Sequence, residues 1–143
     1  MNLADFIPAE WARKTELSNG RSAMLATVGW FFPSVVGTFT GDVTTDPVDA
    51  IMQSSPQWWA QFVVLCAVFE GIKYRGEMEG KSYTGDGDAA VDYMGFWGKM
   101  SPADKEVMRV KELKNARLAM LGFASFVSAH FISGSVPGLP ADF

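Results

Sequence analysis

The sequence predicts an all-α membrane protein of three transmembrane helices, the first and third crossed and related by an internal repeat, with a shorter middle helix. Three observations lead there. The 143-residue chain has three stretches without formal charge, 22–41, 50–69 and 118–141, each close to the roughly 20 residues that a spanning helix needs. Its cations fall on one side of the topology that those stretches imply. One polar motif of Glu, Asn and Arg recurs in fixed register at the start of the first and third stretches.

The first helix is expected over about residues 10–36, with its membrane part beginning near Asn19. Pro33 falls inside the apolar run and should kink or shorten it, which a membrane helix tolerates. The middle stretch opens on polar Gln53, Ser54, Ser55 and Pro56, so its helix is expected only over about 57–74. The third helix is expected over about 101–133. Ser101-Pro102-Ala103-Asp104 reads as its N-terminal cap, with Pro in the first turn. Gly134, Pro137, Gly138 and Pro140 should end it. The connection 41–56 is acidic and polar, and 76–99 is Gly-rich and mixed in charge. The whole chain reads as one three-helix domain.

Charge placement agrees with three spans. An odd number of crossings puts the N-terminus, the second connection and the approach to the third helix on one side. Arg13, Lys14, Lys73, Arg75, Lys81, Lys99, Lys105, Arg109, Lys111 and Lys114 all lie there, with Arg21 and Arg117 just inside the membrane. The other side keeps Asp42, Asp46, Asp49 and Asp142. This is the asymmetry of a membrane protein, for which a soluble helical core, the alternative, gives no reason.

Composition narrows the function. Hydrophobic residues make up 48% and charged residues 20%, and the net charge is −4. No basic face rich in Lys and Arg is present, which excludes nucleic acid as a partner. Cys66 is alone, so no disulfide forms within the chain; in its apolar run it reads as a small buried hydrophobe. The opening MNLADFIPAEW shows neither a signal-peptide nor a transit-peptide pattern.

The repeat carries the chemistry. Glu16-Leu-Ser-Asn19-Gly-Arg21-Ser-Ala23-Met24-Leu25 aligns with Glu112-Leu-Lys-Asn115-Ala-Arg117-Leu-Ala119-Met120-Leu121, matching at seven of ten places, which points to internal duplication. Asn follows Glu by three residues and shares its face. Arg follows by five, roughly 140° around the axis, and so points away from its own Glu. Ionisable groups at membrane depth are costly and pair within the bundle. Crossing the two helices resolves both charges: Glu16 meets Arg117, and Glu112 meets Arg21. Gly20, Ala23 and Thr27 in one helix, and Ala116, Ala119 and Gly122 in the other, are small enough for close approach.

An Arg-neutralised carboxylate keeps an oxygen lone pair, and Asn adds an amide oxygen on the same flank. Both are hard ligands of the kind Mg²⁺ prefers. The oxygens are spread along the helices rather than gathered, which suits a magnesium already held by a macrocycle and needing one axial ligand. On the residues alone, the pairs could equally lock the two helices with no pigment, and the Asn residues could be interhelical hydrogen-bonding groups.

These residues resemble a known family. Lys111-Glu-Leu-Lys-Asn-Ala-Arg-Leu-Ala-Met-Leu-Gly122 is similar to the third-helix signature of the chlorophyll-binding light-harvesting complex superfamily, and Glu16 to Leu25 resembles its first-helix counterpart. Phe69-Glu-Gly-Ile-Lys-Tyr-Arg75 looks like the end of its middle helix. The resemblance implies a multi-pass thylakoid protein of the plastid that binds chlorophylls and carotenoids and passes excitation to a photosystem core, I or II, among neighbouring antenna subunits and thylakoid lipids. It implies no enzymatic activity. By position, Glu16 and Glu112 would be ligands of chlorophyll magnesium, supported by Arg117 and Arg21. Asn115 matches the usual Asn ligand, while Asn19 stands where the family often has His. Glu70 matches the middle-helix ligand, with Lys73 or Arg75 as its cation, and Gln61 lies near a second ligand position there. Late in the third helix the family often has Gln where this chain has Ala129; His130, the single His, follows and is carried as a ligand. The N-terminus and second connection would face the stroma.

The short chain, the compact second connection and the Ser101-Pro102 approach look more like the fucoxanthin- or peridinin-type algal branch. That branch implies chlorophyll a with chlorophyll c, and fucoxanthin- or peridinin-like and diadinoxanthin-like carotenoids. Trp30, Phe31, Phe32, Trp58 and Trp59 would pack on pigment rings, although interfacial anchoring explains Trp58 and Trp59 equally well. Two other functions stay open: a photoprotective, energy-quenching relative, and a small transporter or intramembrane enzyme relaying protons through its carboxylates.

Overall fold

The computed structural model describes residues 8–38, 43–84, 91, 92 and 94–139. Five helices lie among them: α1 (Ala9–Val36), α2 (Pro47–Gln53), α3 (Pro56–Met78), α4 (Phe96–Lys99) and α5 (Pro102–Phe131). Asp42, Asp142, Pro140 and the opening MNLADFI lie outside the described residues. The chain divides into two compact units, one of residues 1–31 with 110–143 and one of residues 32–109.

Local sequence explains the helix ends. α2, α3 and α5 each begin on an oxygen-bearing cap followed by Pro, whose missing N–H is no loss in the first turn. Asp46 accepts from Val48 N and Asp49 N, and Ser55 accepts from Trp58 N. Ser101 Oγ accepts from Asp104 N at 3.2 Å. α3 ends where Gly80 takes φ +79°. There Gly80 N donates to Glu77 O and Lys81 N to Gly76 O, a Schellman closure that needs the left-handed residue.

Two expectations are corrected. α3 has 23 residues and runs through Gly76, so it is longer than the span 57–74; a lone Gly lowers helix propensity but does not stop a helix whose capping signal lies further on. Residues 47–53, read as loop, form a helix. α1 ends at Val36, as expected; it continues past Pro33, and Gly37 N donates to Pro33 O at 2.9 Å, so the proline does not cut it short.

The unit made by α1 up to Phe31 and α5 from Val110 places the motif. Gly20 and Ala116, equivalent positions of the repeat, meet, and Ala116 is fully buried. Any Cβ on Gly20 would sit 3.2 Å from Ala116 Cα. Further along, Trp30 packs edge-on against Phe123 and His130 and at a tilt against Phe126. Successive contacts advance along both chains together, so the two helices run in the same direction.

In the unit of residues 32–109, α3 exposes Phe62, Val63, Val64, Leu65, Val68 and Phe69. These residues lie on every side of the helix, the pattern of a helix that is apolar all round. Cys66 is exposed among them, not buried as its apolar run suggested. Among the described residues the buried apolar side chains are Leu17, Trp30, Ala116 and Ala129.

No helix among the described residues is long and apolar enough to cross a membrane, so the three expected spans are not met on apolarity. Length is not the limit: 28, 23 and 30 residues give roughly 42, 35 and 45 Å at 1.5 Å per residue. Composition is. Charged and amide groups occupy the first half of α1 and of α5, and Gln57, Gln61 and Glu70 interrupt α3.

Candidate functional site

The close Gly20–Ala116 approach brings the two long polar side chains of each helix across to the other. Arg117 Nε donates to Glu16 Oε1 at 2.6 Å, and Arg21 Nε donates to Glu112 Oε1 at 2.7 Å. Each Arg is thus held by the Glu of the facing helix, at the short distance of a charge-assisted bond. Both Glu side chains remain 32% exposed. Among the described residues no donor is recorded for either Oε2, so each neutralised carboxylate keeps one oxygen able to bind something else.

Asn115 is prepared in a similar way. Its Nδ2 donates to Lys111 O one turn back at 2.9 Å. That bond uses the amide's donor end and orients the side chain, leaving Oδ1 as the group that can ligate. Asn19 is exposed on α1, three residues after Glu16. Thr27 Oγ1 donates to Ala23 O at 2.8 Å and lies 3.4 Å from Ala119 O, which ties the pair of helices one turn beyond the ion pairs.

The middle-helix candidates are not brought together. Glu70 and Gln61 are exposed on α3, and nine residues put them on opposite faces, roughly 13 Å apart along the axis. Lys73 Nζ stands 3.5 Å from Glu70 Oε2. Arg75 pairs instead with Glu79 at 3.2 Å, so of the two cations expected for Glu70 only Lys73 reaches it. Glu79 also accepts from Lys81 at 2.9 Å. Lys81's hydrogen bond, and after it Arg75's, hold the Glu79 carboxyl below its ordinary value.

His130 lies five turns beyond Glu112, half-buried, its ring centroid 5.7 Å from Trp30 and 5.2 Å from Phe131. Sequence reasoning named Trp30 only as an aromatic and did not find the cluster around it. The available signal was spacing: Phe123, Phe126 and His130 recur at three and four residues on α5. It also missed Trp97, whose ring meets Lys105 Nζ at 5.6 Å and Arg109 Cζ at 5.9 Å.

The donor set fits chlorophyll magnesium. Single hard oxygens stand apart on helix flanks rather than converging, and no cluster of three or more His, Cys, Asp or Glu able to hold a free ion occurs among the described residues. Exposed apolar side chains such as Leu25, Leu118 and Leu121 lie along the same helices, offering a surface for a flat hydrophobic ligand.

Comparison with known proteins is consistent with that chemistry. The family described as "Chlorophyll A-B binding protein" matches residues 3–131. The chain is similar to light-harvesting complex stress-related protein 3.2 of Chlamydomonas reinhardtii, 28% identical over 84% of this chain and 52% of that protein. It resembles a chlorophyll a-b binding protein of Petunia hybrida at 28% identity over 90% of this chain and 54% of the relative. It also resembles photosystem I chlorophyll a/b-binding protein 6 of Arabidopsis thaliana, at 28% over 82% and 50%. The chain spans about half the length of the curated relatives it matches.

Proposed function

This chain belongs to the chlorophyll a-b binding protein family, and on that footing we propose that it is a light-harvesting antenna subunit of the plastid thylakoid. It binds chlorophylls and carotenoids and passes excitation to a photosystem core, I or II, beside other antenna subunits. The observation that carries this reading is the crossed pair of ion pairs, in which each Glu is neutralised through one oxygen and keeps the other. When bound, chlorophyll would supply the light-absorbing macrocycle and its magnesium. Glu16, Glu112 and Asn115 would hold it. Asn19, Glu70, Gln61 and His130 are the further ligands of the proposal, with Arg21, Arg117 and Lys73 as supporting cations.

α1, α3 and α5 are the proposed membrane helices, with the N-terminus and the connection before α5 on the stromal side. Three features support insertion although plain hydropathy falls short. Pairing removes much of the cost that Glu and Arg carry singly at membrane depth. α1 and α5 run in the same direction, as the first and third of three spans must. The exposed apolar side chains of α3 lie all round the helix, the pattern of a helix covered by other apolar material, and thylakoid lipid and pigment would cover it.

Chlorophyll c beside chlorophyll a, with fucoxanthin- or peridinin-like and diadinoxanthin-like carotenoids, is the pigment set we propose, supported by the Ser101-Pro102 approach to α5. A second reading, an energy-dissipating member of the family, is favoured by the similarity to stress-related light-harvesting proteins. The Arg held by each Glu weighs against proton relay by a transporter. The test is a visible spectrum and fluorescence lifetime of the protein purified in mild detergent. Chlorophyll bands with a long lifetime support harvesting, and a shortened one supports dissipation. A folded, colourless protein contradicts both.

A further inference from the structure

The far end of the α1–α5 pair carries a feature that the carboxylate sites do not explain. Among the described residues Trp30 is the one buried aromatic side chain, only 9% exposed, while Phe31 and Phe32 beside it are exposed. It meets the edge or face of Phe123 at 5.8 Å and 83°, and of His130 at 5.7 Å and 82°. His130 meets Phe131 at 5.2 Å and 85°. The imidazole is therefore bracketed by two near-perpendicular rings, one from each helix, and its rotation is restricted from both sides. At the position of Trp30's repeat equivalent, α5 carries Phe126, itself in contact with Trp30 at 6.4 Å.

We propose that Trp30 is a positioning residue that fixes the His130 imidazole as the axial ligand of a chlorophyll at this end of the helix pair. The inference rests on the ligand role of His130 proposed above and adds the residue that makes it work. A His on a mobile side chain near a helix end loses rotamer freedom when it ligates; packing that loss into the apo fold is what Trp30 does. The reach comes from α1, so this pigment also senses whether the two helices are docked.

The test uses the full chain refolded with a chlorophyll and carotenoid extract, read by bound chlorophyll per chain, visible circular dichroism and far-UV melting. His130→Ala should remove one chlorophyll per chain and one visible dichroism feature. Trp30→Leu should remove the same feature with His130 still present, and Trp30→Phe, which restores an edge-on ring, should regain it. Full pigment in His130→Ala would overturn the ligand role and this inference with it, while leaving the carboxylate sites standing. Loss in His130→Ala but not in Trp30→Leu would overturn the role of Trp30 alone. So would loss of several pigments in Trp30→Leu that Trp30→Phe does not reverse at the His130 feature, since that marks a general packing role.

Discussion

Substituting Gly20 by Ala tests the closest point of the helix pair. The new Cβ would lie on Ala116 Cβ and 3.2 Å from Ala116 Cα. The second is a backbone atom on a fully buried residue, so no rotamer change relieves it and the helices must part. Overpacking of this kind costs about 1–3 kcal/mol, against a gain of about 1 kcal/mol from replacing Gly by Ala within a helix. Gly122→Ala in α5 supplies the control: nothing stands within 4 Å of its added Cβ, so only the gain applies. The two variants should thus differ by about 1–3 kcal/mol, roughly 3–9 °C in melting midpoint for a chain of this size, with Gly20→Ala the lower. Far-UV melting in one detergent measures both. Separation should also lengthen the 2.6 and 2.7 Å Arg–Glu bonds, so Gly20→Ala should lose chlorophyll as well. Equal midpoints and equal pigment in the two variants would refute the close crossing.

Further outcomes follow from the same geometry. Arg117→Leu strands the Glu16 carboxylate, so the melting midpoint should fall and the chlorophyll held by Glu16 should be lost; unchanged pigment content and stability would disprove the reciprocal pairing. The Glu79 carboxyl, held low by Lys81 and then Arg75, has a folded value below the unfolded 4.5. Its contribution to stability is complete above pH 4.5 and disappears as pH falls through the lower folded value. A carboxyl titration by NMR should show its midpoint below 4.5, moving up more in Lys81→Ala than in Arg75→Ala; a midpoint at or above 4.5 in the unmodified chain would contradict the clasp. Thr27→Val removes the hydroxyl that bonds Ala23 O and approaches Ala119 O, and should lower stability by about 0.5–1.5 kcal/mol in the same melting assay; a rise would show that the hydroxyl does not tie the helices.

The long helices and the crossed pairs were legible because both follow from periodicity. A five-residue step from Glu to Arg fixes the phase, and phase leaves each Arg only the other helix to meet. The short α2 was missed although Asp46-Pro47 carries the same cap-and-proline signal that was read at Ser101-Pro102, because its acidic setting suggested a loop. The end of α3 was misplaced at Gly76, since a glycine's role depends on whether the backbone there turns left-handed, as at Gly80. The exposure of Cys66 could not be read either: an apolar run states that a surface avoids water and is silent on whether protein, pigment or lipid covers it. The Trp30–His130 cluster depends on the register between two segments roughly a hundred residues apart, which no local pattern specifies.

The most direct measurement exchanges the charges of one pair, Glu16→Arg with Arg117→Glu, in the full chain refolded with pigments. The exchange keeps an ion pair between the two helices but removes the carboxylate from position 16. If Glu16 is a chlorophyll ligand, the melting midpoint of the apoprotein stays close to that of the unmodified chain, while the chlorophyll held at residue 16 and its visible dichroism are lost. If the pairs only lock the helices, chlorophyll content and spectrum remain unchanged, and the account of the repeated motif as a pigment site is wrong.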